Sequence, residues 1–272
     1  MNNYPYRDLK WPIGYIILVL VLSYAFTAYA YFSADGLKHF NYIMFIPALC
    51  AIVFRLLQKR NLSSLLEPIR AIPNIKSLVF SILYPVCIIF ICALIAQVTG
   101  LATIDWEKLG TSISGFSVLQ FVWAIAFVTG EEYGWRGYLL PELNKVMGPI
   151  ISASIVGIIW AIWHGPLVYI LATVMGAPQS PLLLTLVQMT VVFLFSLPFA
   201  YSYFISGSII PPIIIHFVWN WINPDILGNI YRNRPGLAQG DIFIINGEGV
   251  IGAIVATGFF LWFVFKFPRK AT

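Results

Sequence analysis

The sequence predicts an all-α integral membrane protein, a bundle of about eight transmembrane helices around an intramembrane polar cavity. Of the 272 residues, 60% are hydrophobic and only 10% are charged, whereas about 25% of the residues in soluble domains are charged. Aromatic residues reach 16%, and Trp and Tyr gather at membrane–water interfaces. The basic residues are too few and too scattered to form a patch for nucleic acid, so no nucleic-acid partner is expected.

Eight apolar stretches meet or approach the length of about 20 residues that a spanning helix needs. They cover residues 11–32, 42–57, 78–98, 116–140, 150–171, 182–204, 209–222 and 250–267. The second and seventh are short, so seven spans is the alternative count. No repeat or soluble insertion interrupts the chain. We therefore expect a single transmembrane domain over residues 1–272, with a motif-bearing core at about residues 116–222.

The distribution of the 16 Lys and Arg residues predicts the orientation. With a cytoplasmic N-terminus and eight spans, the cytoplasmic loops and ends hold Arg7, Lys10, Arg55, Lys59, Arg60, Arg70, Lys76, Arg136, Lys145, Lys266, Arg269 and Lys270. The opposite side holds Lys38, Lys108, Arg232 and Arg234. Because basic residues concentrate in cytoplasmic loops, both termini are predicted to be cytoplasmic.

A short set of polar residues falls inside the predicted spans. Glu131 and Glu132 are the acidic ones, while His164, His216 and Asn220 follow on two later helices. An unpaired ionisable side chain in a bilayer costs several kcal/mol, so such residues are few and usually functional. These five residues are the candidates for any chemistry that the protein performs.

Helical spacing arranges these residues in space. Glu132 and Arg136 are four residues apart, so they share a helix face and can form an ion pair. Glu131 is rotated by about 100° from Glu132 and points elsewhere. Trp160 lies one turn before His164, and His216 one turn before Asn220, so each helix has one polar edge. Edges that do not tolerate lipid should converge on one cavity.

This pattern resembles the CAAX protease and bacteriocin-processing family, also called Abi, which includes the type II CAAX prenyl endopeptidases. The match consists of Glu-Glu-x-x-x-Arg at residues 131–136, an aromatic-x-x-x-His at 160–164 and His-x-x-x-Asn at 216–220. The family commonly has Phe where this chain has Trp160. The resemblance implies an intramembrane protease that acts on a membrane-associated or lipidated protein or peptide in the lipid bilayer.

The resemblance also implies roles for the residues. Glu131 and His164 would activate a water molecule, and His216 and Asn220 would stabilise the oxyanion. Glu132, Arg136 and Trp160 would have supporting roles. Glu131, His164 and His216 also match the ligand set of a catalytic zinc site. The cofactor is therefore expected to be either none or a divalent metal such as zinc, and the scatter of these residues over three helices favours none.

Two other classes of function remain open at this point. Intramembrane Glu and His residues also form proton relays, so a proton-coupled transporter or channel is an alternative. The chain shows no repeat symmetry of the kind that transporters usually have. A non-catalytic bacteriocin-immunity protein on the same fold is the other alternative.

Depth along the helices predicts the position and opening of the cavity. At 1.5 Å per residue, Glu131 and His216 both fall in the cytoplasmic half of the membrane. His164 falls too deep unless the segment around residues 147–152 lies in the interface before the helix enters the membrane. On this argument the cavity should open to the cytoplasm.

Overall fold

The computed structural model describes residues 9–108 and 117–266 and is a helical bundle. Six helical segments of this part are long and apolar enough to span a membrane: Lys10–Phe32, Gly36–Lys59, Ile75–Val98, Pro149–Val174, Pro181–Ser206 and Ile242–Phe265. They confirm the prediction of an all-α integral membrane protein. The other two predicted spans fall on helices of 17 and 18 residues, and the count of eight stays a prediction.

Some predictions fall outside the described residues. These are the first and last residues of two predicted spans, Phe116 and Phe267, and three of the basic residues used for the orientation, Arg7, Arg269 and Lys270.

The described part of the chain begins with four helices. Helix α1 covers Lys10–Phe32, and a 3₁₀ segment at Gly36–Phe45 continues directly into α2 at Ile46–Lys59. A 3₁₀ turn at Leu62–Leu66 and the short α3 at Glu67–Arg70 lead to α4 at Ile75–Val98.

The predicted fourth span is interrupted by a π-helical turn. Helix α5 covers Val118–Gly134, the π turn covers Trp135–Leu139, and α6 continues over Leu140–Met147. The chain then turns at Gly148, whose φ is +76°, and α7 begins at once. Single π-helical turns inside a helix, like the one at Trp135–Leu139, are frequent at functional sites.

Three long helices complete the centre of the bundle. Helix α7 covers Pro149–Val174, α8 covers Pro181–Ser206 and α9 covers Ile210–Leu227. Helices α7 and α8 pack closely, since a Cβ atom at Gly157 would lie 2.8 Å from Cβ of Ser196. Residues 149–152 of the expected interfacial segment at 147–152 are already part of α7, and Ser152 is buried. The position of this segment relative to the membrane stays a prediction.

A two-stranded ribbon ties together the long loops at one end of the bundle. Strand β1 at Ala102–Ile104 pairs antiparallel with β2 at Ala238–Gly240. The described part of the chain ends with α10 at Ile242–Ile245 and α11 at Val250–Lys266. The sequence pattern did not predict the ribbon. We call this the ribbon end of the bundle, and we call the opposite end, which carries Lys59, Lys76 and Lys145, the basic end.

Candidate active site in the bundle

Glu131 lies near the end of α5 and faces the centre of the bundle. Its side chain is 2% exposed, and Oε2 accepts a hydrogen bond of 2.9 Å from the indole nitrogen of Trp160 on α7. A neutral donor therefore holds the carboxylate in place without neutralising its charge.

Glu132 faces away from Glu131, as the 100° offset predicts, and joins two other helices. Arg136 Nη1 donates to Glu132 Oε1 at 3.0 Å and to Oε2 at 3.1 Å. Oε1 also lies 2.9 Å from Nδ1 of His216 on α9. Because an ionised carboxylate only accepts hydrogen bonds, Nδ1 of His216 is the donor in this contact.

Aromatic rings enclose the Arg136 guanidinium. Its central carbon lies 4.2 Å from the ring centre of Trp160 and 4.5 Å from that of Phe199. Arg136 is fully buried, and such desolvated cation–π contacts contribute about 2 kcal/mol. The predicted Glu132–Arg136 pair is therefore present and forms part of the floor of the site.

His164 is oriented by its own helix. Its Nδ1 lies 2.9 Å from the backbone carbonyl oxygen of Trp160. A carbonyl oxygen accepts, so Nδ1 carries the proton, and Nε2 of the neutral ring is left as an acceptor.

One cavity of about 400 Å³ brings the predicted catalytic residues together. Its lining includes Glu131, His164, His216 and Asn220, with Trp160 between them. This volume is within the ordinary range for ligand sites of about 300–1,000 Å³. Glu132 and Arg136 are not among its lining residues, which agrees with their place beneath the floor.

The cavity extends from this floor to the ribbon end of the bundle. Its lining includes Phe40, Leu171, Asn229 and Tyr231 at that end. The floor towards the basic end is closed by side chains of the π turn and the start of α6 that are 0% exposed: Trp135, Arg136, Tyr138, Leu139 and Leu140.

The side of the membrane to which the cavity opens depends on the orientation of the bundle, which stays a prediction. The depth calculation assumed that the nearer membrane surface supplies the entrance. The continuation of α5 through the π turn into α6 fills that half with packed side chains. If the termini are cytoplasmic as predicted, the mouth is therefore on the opposite side.

The close fit of α5 against the segment before α2 positions Glu131. A Cβ atom at Gly130 would lie 2.6 Å from the carbonyl oxygen of Met44. On the other side of the motif, Arg55 of α2 donates hydrogen bonds to the carbonyl oxygen of Gly137 in the π turn and to Glu67 Oε2. The close contact at Gly130 and the hydrogen bond from Arg55 to Gly137 thus hold the two ends of the Glu-Glu-x-x-x-Arg segment.

A second polar group in the cavity was missed by the sequence analysis. Near the ribbon end, Glu248 accepts hydrogen bonds from Trp219 and Gln188, and Tyr231 donates to Gln188. Glu248 lies in the loop before α11, where a charged residue is unremarkable. The chain carries no local signal that this loop folds into the cavity.

The residues offered as metal ligands are Glu131, His164 and His216. Within residues 9–108 and 117–266, no three His, Cys, Asp or Glu side chains are grouped closely enough to hold a metal ion. The Nδ1 atoms of His164 and His216 are already engaged with Trp160 and Glu132.

A comparison with models of known protein families agrees with the motifs. Residues 113–222 match the family model described as "Type II CAAX prenyl endopeptidase Rce1-like". No curated protein matches the chain. The matched region contains all three motifs and ends two residues after Asn220. The match confirms the resemblance that the motifs carry: over residues 113–222 the chain is similar to the type II CAAX prenyl endopeptidases.

Proposed function

We propose that the protein is an intramembrane endopeptidase that hydrolyses a peptide bond in a membrane-associated protein or peptide. The observation that carries this proposal is the single cavity lined by Glu131, His164, His216 and Asn220, which come from three helices. Trp160, which contacts Glu131 and His164, also lines the cavity, whereas Glu132, the partner of His216, does not. We further propose that the whole chain, residues 1–272, forms one domain around this site.

Glu131 acts as the general base. Its bond from Trp160 occupies Oε2, and a carboxylate has further lone pairs for a water molecule. As the water oxygen attacks the carbonyl carbon of the substrate, Glu131 takes one proton from the water. The same proton then passes to the leaving amine as the carbon–nitrogen bond breaks.

His164 orients the attacking water. Since its Nδ1–H points to the carbonyl of Trp160, Nε2 accepts a hydrogen bond from the same water or shares its deprotonation. The ring is held by its own helix, so its position is fixed before substrate binds.

His216 and Asn220 stabilise the negative charge that develops on the carbonyl oxygen. Asn220 contributes its amide N–H from one turn further along the same wall of the cavity. His216 contributes Nε2–H, which requires both ring nitrogens to be protonated while Nδ1 donates to Glu132. Loss of one such donor typically costs about 10²–10³ in kcat.

The proposed steps use no metal, since the chain's own side chains supply the base and the oxyanion donors. If zinc were the cofactor, Glu131, His164 and His216 would be its ligands, and they would have to move to reach a common ion.

The proposed substrate class, a membrane-associated protein or peptide, is inferred from the family match and from the membrane-spanning helices. A lipidated peptide is one candidate, and an unmodified membrane peptide is another. The family match favours a protease over the transporter, channel and immunity-protein alternatives.

Hydrolysis can be tested with the purified full chain in lipid nanodiscs. A farnesylated peptide and its unmodified twin are each incubated in water enriched in ¹⁸O. The proposal predicts fragments of at least one peptide with a single ¹⁸O in the new carboxylate. Intact peptides in both cases, at a protein concentration equal to that of the peptide, would contradict it.

A further inference from the structure

Glu248 is held rigidly in the cavity at its ribbon end, away from the catalytic residues. Its Oε1 accepts from the indole nitrogen of Trp219 at 2.9 Å, and its Oε2 accepts from Nε2 of Gln188 at 2.9 Å. The hydroxyl of Tyr231 donates to Oε1 of Gln188 at 2.8 Å, which fixes the amide in the orientation that donates to Glu248. The backbone N–H of Glu248 donates to Asn246 Oδ1 at 2.8 Å.

All these partners are neutral. Among the ion pairs of the described residues, none involves Glu248. Two hydrogen bonds leave part of the acceptor capacity of a carboxylate unused, since it can accept about four. A carboxylate partly withdrawn from water gains most from a cationic partner, because charge-assisted hydrogen bonds are roughly twice as strong as neutral ones.

The rest of the described cavity lining also has no cationic Lys or Arg partner for a carboxylate. Its described lining residues include two carboxylates, Glu131 and Glu248, and no Lys or Arg. Arg136 is paired with Glu132 beneath the floor. A substrate carboxylate in this cavity would meet like charge, whereas an ammonium or guanidinium group would meet its complement.

Helix α9 sets the distance between the two ends. The wall from His216 to Asn223 spans seven residues, about 10 Å along the helix. An extended peptide advances about 3.3 Å per residue, so about two to three substrate residues separate the two ends of this wall. The segment of Glu248 lies beside the far part of this wall, because Trp219 donates to Glu248 and Asn223 Nδ2 donates to Asn246 Oδ1 at 3.1 Å.

We propose that Glu248 binds a cationic group of the substrate about two to three residues from the cleaved bond. This specificity subsite rests on the proposed function, since the cation is placed relative to the bond that is hydrolysed. The cation is an ammonium or guanidinium group, supplied either by a Lys or Arg side chain or by the free amino terminus of a peptide.

Peptide binding tests this subsite without turnover. The full-length Glu131→Gln variant in nanodiscs is titrated with pairs of hexapeptides whose termini are blocked by acetylation and amidation. The two peptides of a pair differ at one position, which is Lys in one and norleucine in the other. Successive pairs move this position along the peptide. We expect the Lys peptide to bind at least tenfold more tightly at one position. A preference for Lys over norleucine below twofold at every position would overturn the inference. This outcome can be read from the Glu131→Gln protein alone.

Variants of Glu248 assign the preference to this side chain. Added to Glu131→Gln, Glu248→Gln should reduce the preference below twofold, whereas Glu248→Asp, which keeps the charge, should retain most of it. The matched control is Glu107→Gln, which removes an exposed carboxylate near the same end and should leave the preference unchanged. A tenfold preference that survives in a folded Glu248→Gln protein would contradict the assignment.

A third peptide distinguishes the two sources of the cation. It carries norleucine and a free amino terminus, so tight binding of this peptide identifies the terminal amine and tight binding of only the Lys peptide identifies the side chain. Both results support the subsite if they depend on Glu248. A Glu248-dependent preference without any hydrolysis by the wild type would remove the proposed function but keep the subsite. Hydrolysis by the wild type without a Glu248-dependent preference for the cation would keep the proposed function but remove the subsite.

Discussion

Glu132 and His216, 84 residues apart in the chain, are joined by a hydrogen bond of 2.9 Å between Oε1 and Nδ1. The same carboxylate accepts two hydrogen bonds from Arg136. The ion pair therefore fixes the ring of His216 and directs Nε2 away from Glu132. We therefore expect Glu132 to act as a positioning residue for His216, in addition to its pairing with Arg136.

Replacement of Glu132 should damage both stability and activity. Glu132→Gln leaves the Arg136 guanidinium buried without a counter-charge, and breaking a buried ion pair by removing one partner costs about 3–5 kcal/mol. It also removes the anionic acceptor that favours a protonated His216. We expect a lower thermal midpoint and a large loss of kcat, measured on the purified protein.

The double variant Glu132→Gln/Arg136→Met separates these two effects. It removes the unpaired charge and keeps an apolar side chain between Trp160 and Phe199, so much of the thermal stability should return. The activity should not return, because His216 still lacks its anionic partner. Full recovery of kcat in the double variant would show that Glu132 acts only through folding.

The close approach at Gly130 should make a small substitution costly. In Gly130→Ala, the added methyl group would meet the backbone carbonyl of Met44, which cannot move aside as a side chain can. Overpacking of this kind costs about 1–3 kcal/mol and would displace Glu131. We expect a lower thermal midpoint and a tenfold or greater loss of kcat.

Gly258→Ala on α11 is the matched control, because a Cβ atom there meets nothing within 4 Å. Gly in a helix is less stable than Ala by about 0.5–1 kcal/mol, so this variant should equal or exceed the wild type in thermal stability. Equal behaviour of the two variants would argue against a tight contact at Gly130.

Metal chelation tests the cofactor prediction. The imidazole Nδ1 atoms of His164 and His216 are engaged with protein acceptors, and the proposed steps use no metal. We expect incubation with 1,10-phenanthroline to leave the hydrolysis rate within twofold of the untreated enzyme. A loss of activity that added zinc restores would instead assign Glu131, His164 and His216 as ligands.

The mouth of the cavity can be located by cysteine labelling. Cys50, Cys87 and Cys92 are first replaced by Ala, and single cysteines are placed at Asn220 and Asn229 in the cavity. Both should react with a membrane-impermeant maleimide from the same side of the membrane.

Lys145→Cys, at the basic end, is the control for the other side of the membrane and should react only from there. If the termini are cytoplasmic, Lys145→Cys reacts from the cytoplasm, and substrate enters the cavity from the opposite side. Reaction of Asn220→Cys from the same side as Lys145→Cys would contradict the structure of the cavity.

Much of the site could be predicted from the sequence because a bilayer tolerates few polar side chains. Glu131, His164 and His216 stand out against apolar helices, and helical spacing separates Glu131 from the Glu132–Arg136 pair. Local periodicity carries this information, so the lining of the cavity by these residues agrees with expectation.

The remaining features depend on contacts between distant segments. The π turn at Trp135–Leu139 and its bond from Arg55 leave no periodic signal. Glu248 and the ribbon of β1 and β2 lie in loops, where polar residues and short strands are ordinary. The end of the bundle to which the cavity extends depends on how these loops fold, and helical spacing along single helices carries no information about it.

The central claim is that Glu131 is the base of a peptide hydrolase. Its most direct test is the hydrolysis rate of Glu131→Gln beside the wild type and the Glu107→Gln control, with the thermal midpoint of each protein. Gln keeps the size of the side chain and an oxygen that can accept the Trp160 hydrogen bond, but it cannot take a proton at neutral pH. We predict a loss of at least about a hundredfold at an unchanged thermal midpoint. A folded Glu131→Gln protein that hydrolyses the peptide at the wild-type rate would contradict the account.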